Sequence, residues 1–276
     1  MDAISCFQVD AFTDRPFAGN PAAVCLLDDE RDSQWMQAVA AEMNLSETAF
    51  VRPQEDGFEL RWFTPAVEVD LCGHATLAAA HVLWTEGILH CDDIVPFHTR
   101  SGELQCSRHG ELIEMDFPAT VAEPLQADEG LAEALGVEPS WVGGSKYDRL
   151  VLVESPKVLR TMQPDFARLQ AVPVRGVIVT CASDDQRFDF LSRFFGPAVG
   201  IDEDPVTGSA HCCLGPFWSE RLGKTEMTAF QASARGGVVH VRVADERIVL
   251  GGNAVTVFRG ELAQGAAEHI PNVPNV

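Results

Sequence analysis

The chain has 276 residues, of which 46% are hydrophobic and 22% are charged, a composition typical of a folded globular protein and not of a disordered one. Its 41 acidic and 20 basic residues leave a formal charge of −21, which repels a phosphate backbone and disfavours nucleic acid as a partner. No apolar run reaches the roughly 18 residues of a membrane helix, and the first residues lack a signal-peptide pattern, so we expect a cytoplasmic protein with no membrane partner.

Most of the chain reads as short strands separated by turns. Apolar residues alternate with polar ones in these stretches, as expected for strands with one buried face. The predicted strands lie at residues 4–12, 22–27, 49–51, 58–63, 101–106, 112–117, 150–153, 177–180, 188–195, 238–243 and 255–258. The glycine pairs at 236–237 and 251–252 predict turns, because they lack the strand-loop-helix context of a phosphate loop. We expect the tail after Ala263 to lie on the surface.

Three segments predict helices. Asp32 is suited to cap a helix over residues 33–43. Residues 75–84 are apolar on nearly every face, which predicts a helix that is buried on all sides. Residues 210–218 are similarly apolar, although Gly215 and Pro216 predict a kink or an interruption there.

One stretch of the sequence occurs twice. RWFTPAVEVD begins at Arg61 and RFFGPAVGID begins at Arg193, with six identities in ten positions at an offset of 132 (193 minus 61). Each copy is followed by a glycine and a hydrogen-bonding residue at the start of an apolar helix. A duplicated chain predicts two similar halves with one site between them. We place the halves at 1–118 and 119–276, with the extreme C-terminal segment able to pack back on the first half.

The two copies stop agreeing after Asp70 and Asp202, which the alignment superposes. Because these aspartates recur, we interpret them as scaffold residues. The second copy has three extra residues before its helix (209 minus 202 is 7, and 74 minus 70 is 4). We expect this insertion, after Asp202, to be what introduces Asp204.

The eight cysteines do not have the spacing of a zinc site, and we expect reduced thiols packed as small hydrophobic residues. Cys72 and His74, like His211 with its two following cysteines, have metal-binding side chains close together. We interpret both groups as buried helix residues. The sequence therefore predicts neither a metal nor a cofactor.

Four separated motifs resemble the phenazine-biosynthesis isomerase (PhzF-like) family. They are FQVDAFTDRPFAGNPAAV, NLSETAFV, FTPAVEVDLCGHATLAAAHVLW and DEDPVTGSAHC, in the family's order and across nearly the whole chain. The resemblance implies an α+β fold with two pseudo-symmetric domains, each a rolled, mostly antiparallel sheet around a central helix, as in diaminopimelate epimerase. It also implies a homodimer.

The same resemblance implies the residues of the site and its substrate class. The substrate is expected to be a small carboxylic acid, cyclic or unsaturated, isomerised without a cofactor. The implied catalytic residues are Glu47, His74 and Asp204, and the implied substrate-binding residues are Ser46, Gly73, Gly208 and Ser209.

The chemistry of these residue types is consistent with that reaction. A partly desolvated carboxylate can take a proton from carbon and return it, and we predict that Glu47 does so. His74 and Asp204 are expected to hydrogen-bond the substrate and each other. Because the chain has few cations, we expect a substrate carboxylate to be held by backbone N–H groups at helix N-termini.

Other interpretations remain open at this point. Epimerases and racemases of this fold use two cysteines, but here Cys72-Gly73 in the first half corresponds to Thr207-Gly208 in the second. A threonine hydroxyl is too weakly acidic to replace a thiol, so a two-thiol amino-acid epimerase or racemase is disfavoured. A second alternative is a carboxylate-binding protein without catalysis, in which Glu47 is a solvated or capping residue and Asp204 begins a turn.

Overall fold

The computed structural model describes residues 3–263. They form two compact units, one comprising residues 3–115 with 253–263 and the other residues 116–252. Residues 253–263 therefore belong to the first unit, although they follow the second unit in the sequence. The tail after Ala263, for which we predicted a surface position, lies outside the described residues.

The first unit contains a sheet, two helices and the last strand of the described chain. Its elements are β1 Ser5–Ala11, β2 Asn20–Leu26, α1 Ser33–Met43, β3 Glu47–Gln54, β4 Gly57–Phe63, β5 Glu68–Val69, α2 Gly73–Thr85, β6 Val95–Thr99, β7 Gly102–His109, β8 Leu112–Pro118 and β18 Ala254–Glu261. The last residues of β8 belong to the second unit. β18 pairs antiparallel with β1 through Ser5 and Glu261 at one end and Ala11 and Ala254 at the other.

The second unit repeats this plan with different loops. Its elements are β9 Glu123–Pro124, α3 Leu131–Leu135, β10 Trp141–Gly144, β11 Asp148–Leu152, α4 Pro156–Thr161, α5 Phe166–Leu169, β12 Gly176–Ala182, β13 Phe190–Gly196, a 3-10 turn Pro197–Val199, β14 Ile201–Asp204, α6 Gly208–Leu222, β15 Glu226–Gln231, β16 Gly237–Ala244 and β17 Arg247–Gly252. The predicted turn at 251–252 is wrong, because both glycines lie in β17.

The strand pairings of the two units correspond one for one. In the first unit β18-β1, β1-β2, β3-β4, β4-β5 and β6-β7 are antiparallel, whereas β2-β3 and β4-β6 are parallel. In the second unit β9-β10, β10-β11, β12-β13, β13-β14 and β15-β16 are antiparallel, whereas β11-β12 and β13-β15 are parallel. The same sequence of pairing directions confirms that the repeat in the sequence is a repeat in the fold.

Helix α1 begins and ends where the sequence predicts. The Asp32 side chain accepts a hydrogen bond from the Trp35 N–H at 2.8 Å, and Asn44 ends the helix in the left-handed conformation. The buried face packs Trp35 edge-on against Phe50, which in turn meets Phe63. These rings fix α1 against β3 and β4.

Helix α2 is the central helix of the first unit and packs against β1, β2, β3 and β18. Ten of its thirteen residues are buried, including consecutive positions from His74 to Ala80. A helix surrounded on nearly every face is not amphipathic, which is why most of its residues are apolar. The prediction of a helix buried on all sides is confirmed.

Helix α6 is the equivalent helix of the second unit, and it continues through Pro216 to Leu222. Proline lacks an N–H, so the carbonyl of Cys212 one turn earlier loses its helical partner. The Thr120 N–H donates to that carbonyl at 3.1 Å. The predicted interruption is therefore wrong, because a neighbouring segment supplies the missing hydrogen bond.

The register of the short strands corrects the alignment of the repeat. Trp62 pairs with Val69 in the first unit, and Phe194, its counterpart, pairs with Asp204 in the second. Val69 therefore corresponds to Asp204, at an offset of 135 (204 minus 69). The three extra residues lie around the 3-10 turn, before β14, and not after Asp202 as we expected.

An equivalent ion pair supports the corrected register. Arg61 forms a two-pronged contact with Glu68 at 2.8 Å, and Arg193 forms one with Glu203 at 2.7 and 2.8 Å. The arginines keep the offset of 132, whereas the glutamates differ by 135. Asp70 and Asp202 are both exposed but are not structural equivalents.

His211 gives the fold a pH dependence. It is fully buried in α6, and its Nδ1 donates to the Thr207 carbonyl at 2.8 Å. Burial lowers the pKa of His211 to about 4, so the unfolded chain binds a proton at higher pH than the folded chain does. Stability is full above a pH of about 6.5 and falls as the pH drops toward 4, by about 3 kcal/mol in total.

We expect His211→Gln to remove this part of the acid destabilisation. Urea unfolding at pH 7 and at pH 4.5 gives the decrease in unfolding free energy between the two pH values. This decrease should be smaller in the variant than in the wild type, even if the two proteins differ in stability at pH 7. His90→Gln, at an exposed position, serves as the control. An unchanged pH slope in His211→Gln would show that other groups cause the acid destabilisation.

Within residues 3–263, none of the helices combines the length and the apolar character needed to cross a bilayer.

Candidate functional site

The first part of the site lies where β3 begins and α2 begins. Glu47 is the first residue of β3 and pairs with Ala22 of the parallel strand β2. His74 is the second residue of α2 and is 6% exposed. The two side chains meet, with Glu47 Oε2 lying 3.1 Å from His74 Nε2. The predicted catalytic residues of this unit are therefore in contact.

Each nitrogen of the His74 ring has its own neighbours. Nδ1 lies 3.5 Å from the Cys72 sulfur and 3.3 Å from Asn20 Nδ2, whereas Nε2 faces Glu47. The Ser46 hydroxyl donates to Asn20 Oδ1 at 3.2 Å, which leaves the amide N–H groups to face Nδ1. In the neutral ring Nδ1 is then the acceptor and Nε2 carries the proton toward Glu47.

The contact between Glu47 and His74 is close but poorly aligned. Nε2 is buried and has no hydrogen bond of good geometry among residues 3–263, although the carboxylate oxygen is at ion-pair distance. Catalytic hydrogen bonds are often poorly aligned before substrate binds. The ring N–H therefore keeps the capacity to donate to a substrate atom.

The charges around His74 favour its protonation. Burial opposes the imidazolium, but the neighbouring Cys72 sulfur and Glu47 carboxylate outweigh it and raise the pKa of His74 well above its usual value. Burial, assisted by the charge of Glu47, raises the pKa of the Cys72 thiol. The two groups act on each other, because an ionised Cys72 sulfur favours the imidazolium and the imidazolium favours the thiolate.

Asn20 is a site residue that we did not predict from the sequence. It is fully buried and links Ser46 to His74. We interpreted the Gly19-Asn20-Pro21 sequence only as a loop. The available signal was its position within a motif of the resemblance, since a buried amide next to a proline is not a surface turn.

Gly19 allows Asn20 to reach this position. Its φ is +62°, and a Cβ there would lie 2.1 Å from the Ala11 carbonyl oxygen. We expect Gly19→Ala to lower the unfolding free energy by about 3 kcal/mol, because the clash adds to the backbone strain. Gly110→Ala is the matched control: its φ is +65° with open space around it, and about 1 kcal/mol is expected. Equal losses in the two variants, measured by denaturant unfolding, would contradict this account.

In the second unit, Asp204 lies at the end of β14 and is 9% exposed. The Thr207 hydroxyl donates to Asp204 Oδ2 at 2.5 Å. Gln231 holds the turn between them, since its Nε2 donates to the Asp204 carbonyl at 2.8 Å and its Oε1 accepts from the Thr207 N–H at 2.9 Å. Asp204 is therefore fixed by the turn that leads into α6.

Gly208 and Ser209 are the first two residues of α6. Arg175 Nη2 donates to the Ser209 hydroxyl oxygen at 3.1 Å, which leaves the hydroxyl proton free to donate elsewhere. Arg175 is held in turn by Asp148, which is 2% exposed and accepts from both Nε and Nη2. We predicted backbone and hydroxyl donors for the substrate carboxylate, and we did not predict the cation Arg175 next to Ser209.

Both central helices begin without a side-chain cap. Cys72 precedes α2 and Thr207 precedes α6, and neither side chain accepts a hydrogen bond from its helix. The first N–H groups of each helix therefore have no partner from a capping side chain, and the helix dipole favours an anion at that position. This arrangement suits the predicted role of Gly73 and Gly208 as carboxylate donors.

The donor atoms of Glu47, Cys72 and His74 lie within 4.8 Å of one another and are of types that bind zinc. However, the sulfur and the carboxylate contact opposite ring nitrogens. An ion bound at either nitrogen would point toward only one of the other two ligands. The arrangement is better suited to passing a proton through the ring than to holding one ion.

The structure thus groups the predicted site residues within each unit. Ser46, Glu47, Gly73 and His74 lie together in the first unit, and Asp204, Gly208 and Ser209 lie together in the second. His81 and His211, which we did not assign to the site, bond to Thr256 and to the Thr207 carbonyl. The roles of the seven residues remain predictions.

Two similar units, each with a buried central helix that starts at a candidate anion site, define an epimerase-like fold with acid–base residues. The family described as "Phenazine biosynthesis-like protein" (PhzC-PhzF) matches residues 9–260. The chain belongs to this family, as the motifs predicted.

Named relatives agree in length and class. An uncharacterized isomerase of Pseudomonas aeruginosa is 53% identical over 94% of this chain and 98% of its own. One of Halalkalibacterium halodurans is 51% identical over 93% of this chain and 97% of its own. Their names agree with the predicted isomerase class.

Solved structures confirm the fold. The phenazine biosynthesis protein of the PhzF family from Enterococcus faecalis has a TM-score of 0.91 and 38% identity, covering 95% of this chain and all of that one. A probable proline racemase from Agrobacterium radiobacter has a TM-score of 0.67 at 10% identity, over 95% of this chain and 93% of its own, which shows a shared fold alone. The predicted α+β, epimerase-like fold class is correct.

Proposed function

We propose that this protein is an isomerase that moves a proton between carbons of a small cyclic or unsaturated carboxylic acid without a cofactor. The observation that carries the proposal is the contact of Glu47 with His74 at the uncapped start of α2. A proton acceptor on β3 thus meets the first turn of α2, which supplies a ring that donates from Nε2 and backbone donors for an anion.

Glu47 is proposed as the single acid and base. Its side chain is 13% exposed, so it is partly desolvated yet open to a small molecule. The carboxylate removes a proton from one carbon and returns it to another on the same face of the substrate. A single base suffices for such a transfer, which agrees with the threonine at position 207 where a second thiol would be needed.

The negative charge that develops next to the departing proton needs stabilisation. The His74 N–H and the first backbone N–H groups of α2 are fixed before the reaction and are suited to this task. Because His74 is buried, its hydrogen bond acts in a medium of low dielectric, where it is stronger than in water. His74 is therefore proposed to stabilise the enolate-like intermediate.

For the second unit we propose the roles that the family resemblance gives. Asp204 acts in proton transfer or orientation, and Gly208 and Ser209 bind the substrate carboxylate. Arg175 supports this role of Ser209, because its guanidinium occupies the oxygen and directs the hydroxyl proton away from itself. We also propose that the protein is cytoplasmic and forms a homodimer. Sedimentation analysis tests the oligomeric state.

The test uses 2,3-dihydro-3-hydroxyanthranilate, the reference substrate of the family, in heavy water. We expect isomerised product that carries deuterium at the protonated carbon, measured by NMR and mass spectrometry. Binding of the compound without exchange or turnover would instead favour the carboxylate-binding alternative. If the compound neither binds nor reacts, it is not the substrate, and other unsaturated carboxylic acids should be tested.

A further inference from the structure

Cys72 is the feature of the site that the proposed reaction does not use. Its sulfur lies 3.5 Å from His74 Nδ1, and His74 Nε2 lies 3.1 Å from Glu47. A nucleophile next to a base that is oriented by a third group is the arrangement found in covalent catalysis. We propose that Cys72 is a nucleophilic thiol and that its site takes small carboxylates bearing an electrophilic carbon.

The ring geometry allows His74 to activate the thiol. In the neutral ring Nδ1 faces the sulfur as an acceptor, and the proton on Nε2 faces Glu47. When the thiol proton moves to Nδ1, the imidazolium lies between a thiolate and a carboxylate. Cys72 and Glu47 are the titratable groups that act on His74, and both stabilise its charged form.

The position of Cys72 at the start of α2 favours the thiolate. Cys72 is the residue before the first helical residue, so its side chain lies near the uncapped N–H groups. A helix N-terminus stabilises a thiolate and lowers the barrier to its formation. The same N–H groups attract the carboxylate of an incoming molecule.

The other described cysteines lack this combination. Burial raises the pKa of Cys181, Cys212 and Cys213 to about 12, as it also raises the pKa of Cys72, but none of these three has a histidine among the groups that act on it. Cys6 and Cys25 contact each other across β1 and β2. Cys91 is exposed and provides an internal reference for a thiol open to solvent.

The covalent step is balanced with iodoacetate as the probe. The Cys72 sulfur forms a bond to the methylene carbon as the carbon–iodine bond breaks and iodide leaves with its electron pair. The thiol proton passes to His74 Nδ1. The product is a thioether, and no oxidant or second reactant is required.

The net charge of −21 makes the choice of reagent informative. An anionic reagent is repelled by most of the surface, so iodoacetate reacts more slowly than neutral iodoacetamide at an ordinary exposed thiol. At Cys72 the helix N-terminus reverses this preference. The ratio of the iodoacetate rate to the iodoacetamide rate is expected to be about tenfold higher at Cys72 than at Cys91.

The experiment follows alkylation of each cysteine in the whole protein by peptide mass spectrometry with both reagents. We expect the reagent preference at Cys72 to differ from that at Cys91, and His74→Gln to slow the reaction at Cys72 by at least about tenfold. His81→Gln, on the same helix, is the matched control. The rate at Cys91 and the circular dichroism spectrum check that each variant is folded.

Equal reagent preference at Cys72 and Cys91 overturns the proposal, as does a Cys72 that reacts no faster than buried Cys106. An unchanged rate in folded His74→Gln also overturns it. The choice of a carboxylate probe rests on the proposed function, but alkylation is read without turnover. A protein that isomerises no acid can therefore still pass this test, and an active isomerase can fail it.

Discussion

Glu47→Gln is expected to lower kcat for isomerisation by a factor of about 10² to 10⁴, the range typical for loss of a general acid or base. Glutamine has the shape of glutamate and still reaches His74 from the first position of β3, but it cannot take a proton from carbon. Solvent deuterium should disappear from the product in the same proportion. The substrate dissociation constant is expected to change much less, because the carboxylate-binding groups are untouched.

Glu42→Gln is the control for Glu47→Gln. Glu42 is an exposed glutamate near the end of α1, so the same chemical change there should leave turnover and exchange at the wild-type level. Circular dichroism and the unfolding midpoint separate a local loss of chemistry from a loss of fold. Wild-type kcat in Glu47→Gln would reject Glu47 as the base and direct attention to Cys72.

The parts of the fold that sequence predicts well are those set by local chemistry. Asp32 and Asn44 delimit α1 because a carboxylate cap and a left-handed residue act within one turn. The burial of α2 follows from its composition, since Thr76 is the one polar residue within 75–80 and its hydroxyl donates to the Cys72 carbonyl. Glu47 and His74 were found by motif, and the fold places them in contact.

The features that the sequence does not predict depend on distant partners. Pro216 predicts a break because it leaves the Cys212 carbonyl without a helical hydrogen bond. The group that replaces this bond, the Thr120 N–H, lies ninety-two residues before Cys212 in the sequence (212 minus 120). Asn20 gains its role only when β2 lies beside β3 and α2. Arg175 acquires a function through Asp148 and Ser209, which are separated from it by 27 and 34 residues.

The repeat shows a further limit of sequence comparison. Identity favours one offset over the whole stretch, because the aspartates at 70 and 202 happen to agree. Hydrogen-bond register instead changes the offset from 132 to 135 at the 3-10 turn. The consequence is functional, since the residue that corresponds to Asp204 is an apolar Val69 and not another acid.

That correspondence leads to a second prediction of large effect. A strand position that is satisfied by valine in one unit holds a buried carboxylate in the other, and burying a carboxylate costs free energy that valine does not. Asp204→Val is expected to lower kcat at least about 10²-fold, as for loss of a proton-transfer group. Its unfolding free energy is expected to equal or exceed that of the wild type, because functional acids are often retained at the expense of stability.

Two further variants make the comparison specific. Asp204→Asn retains the size of the side chain and an oxygen for the Thr207 hydroxyl, so a matching loss of kcat would assign the effect to the carboxylate charge and not to the turn. Asp202→Asn changes the exposed aspartate that the sequence alignment favoured, and it should leave activity unchanged. If Asp204→Val instead lost about 3 kcal/mol or more of stability while keeping its turnover, Asp204 would be a structural residue of the β14 turn. The acid at this position would then serve folding, and the chemistry would belong to the first unit alone.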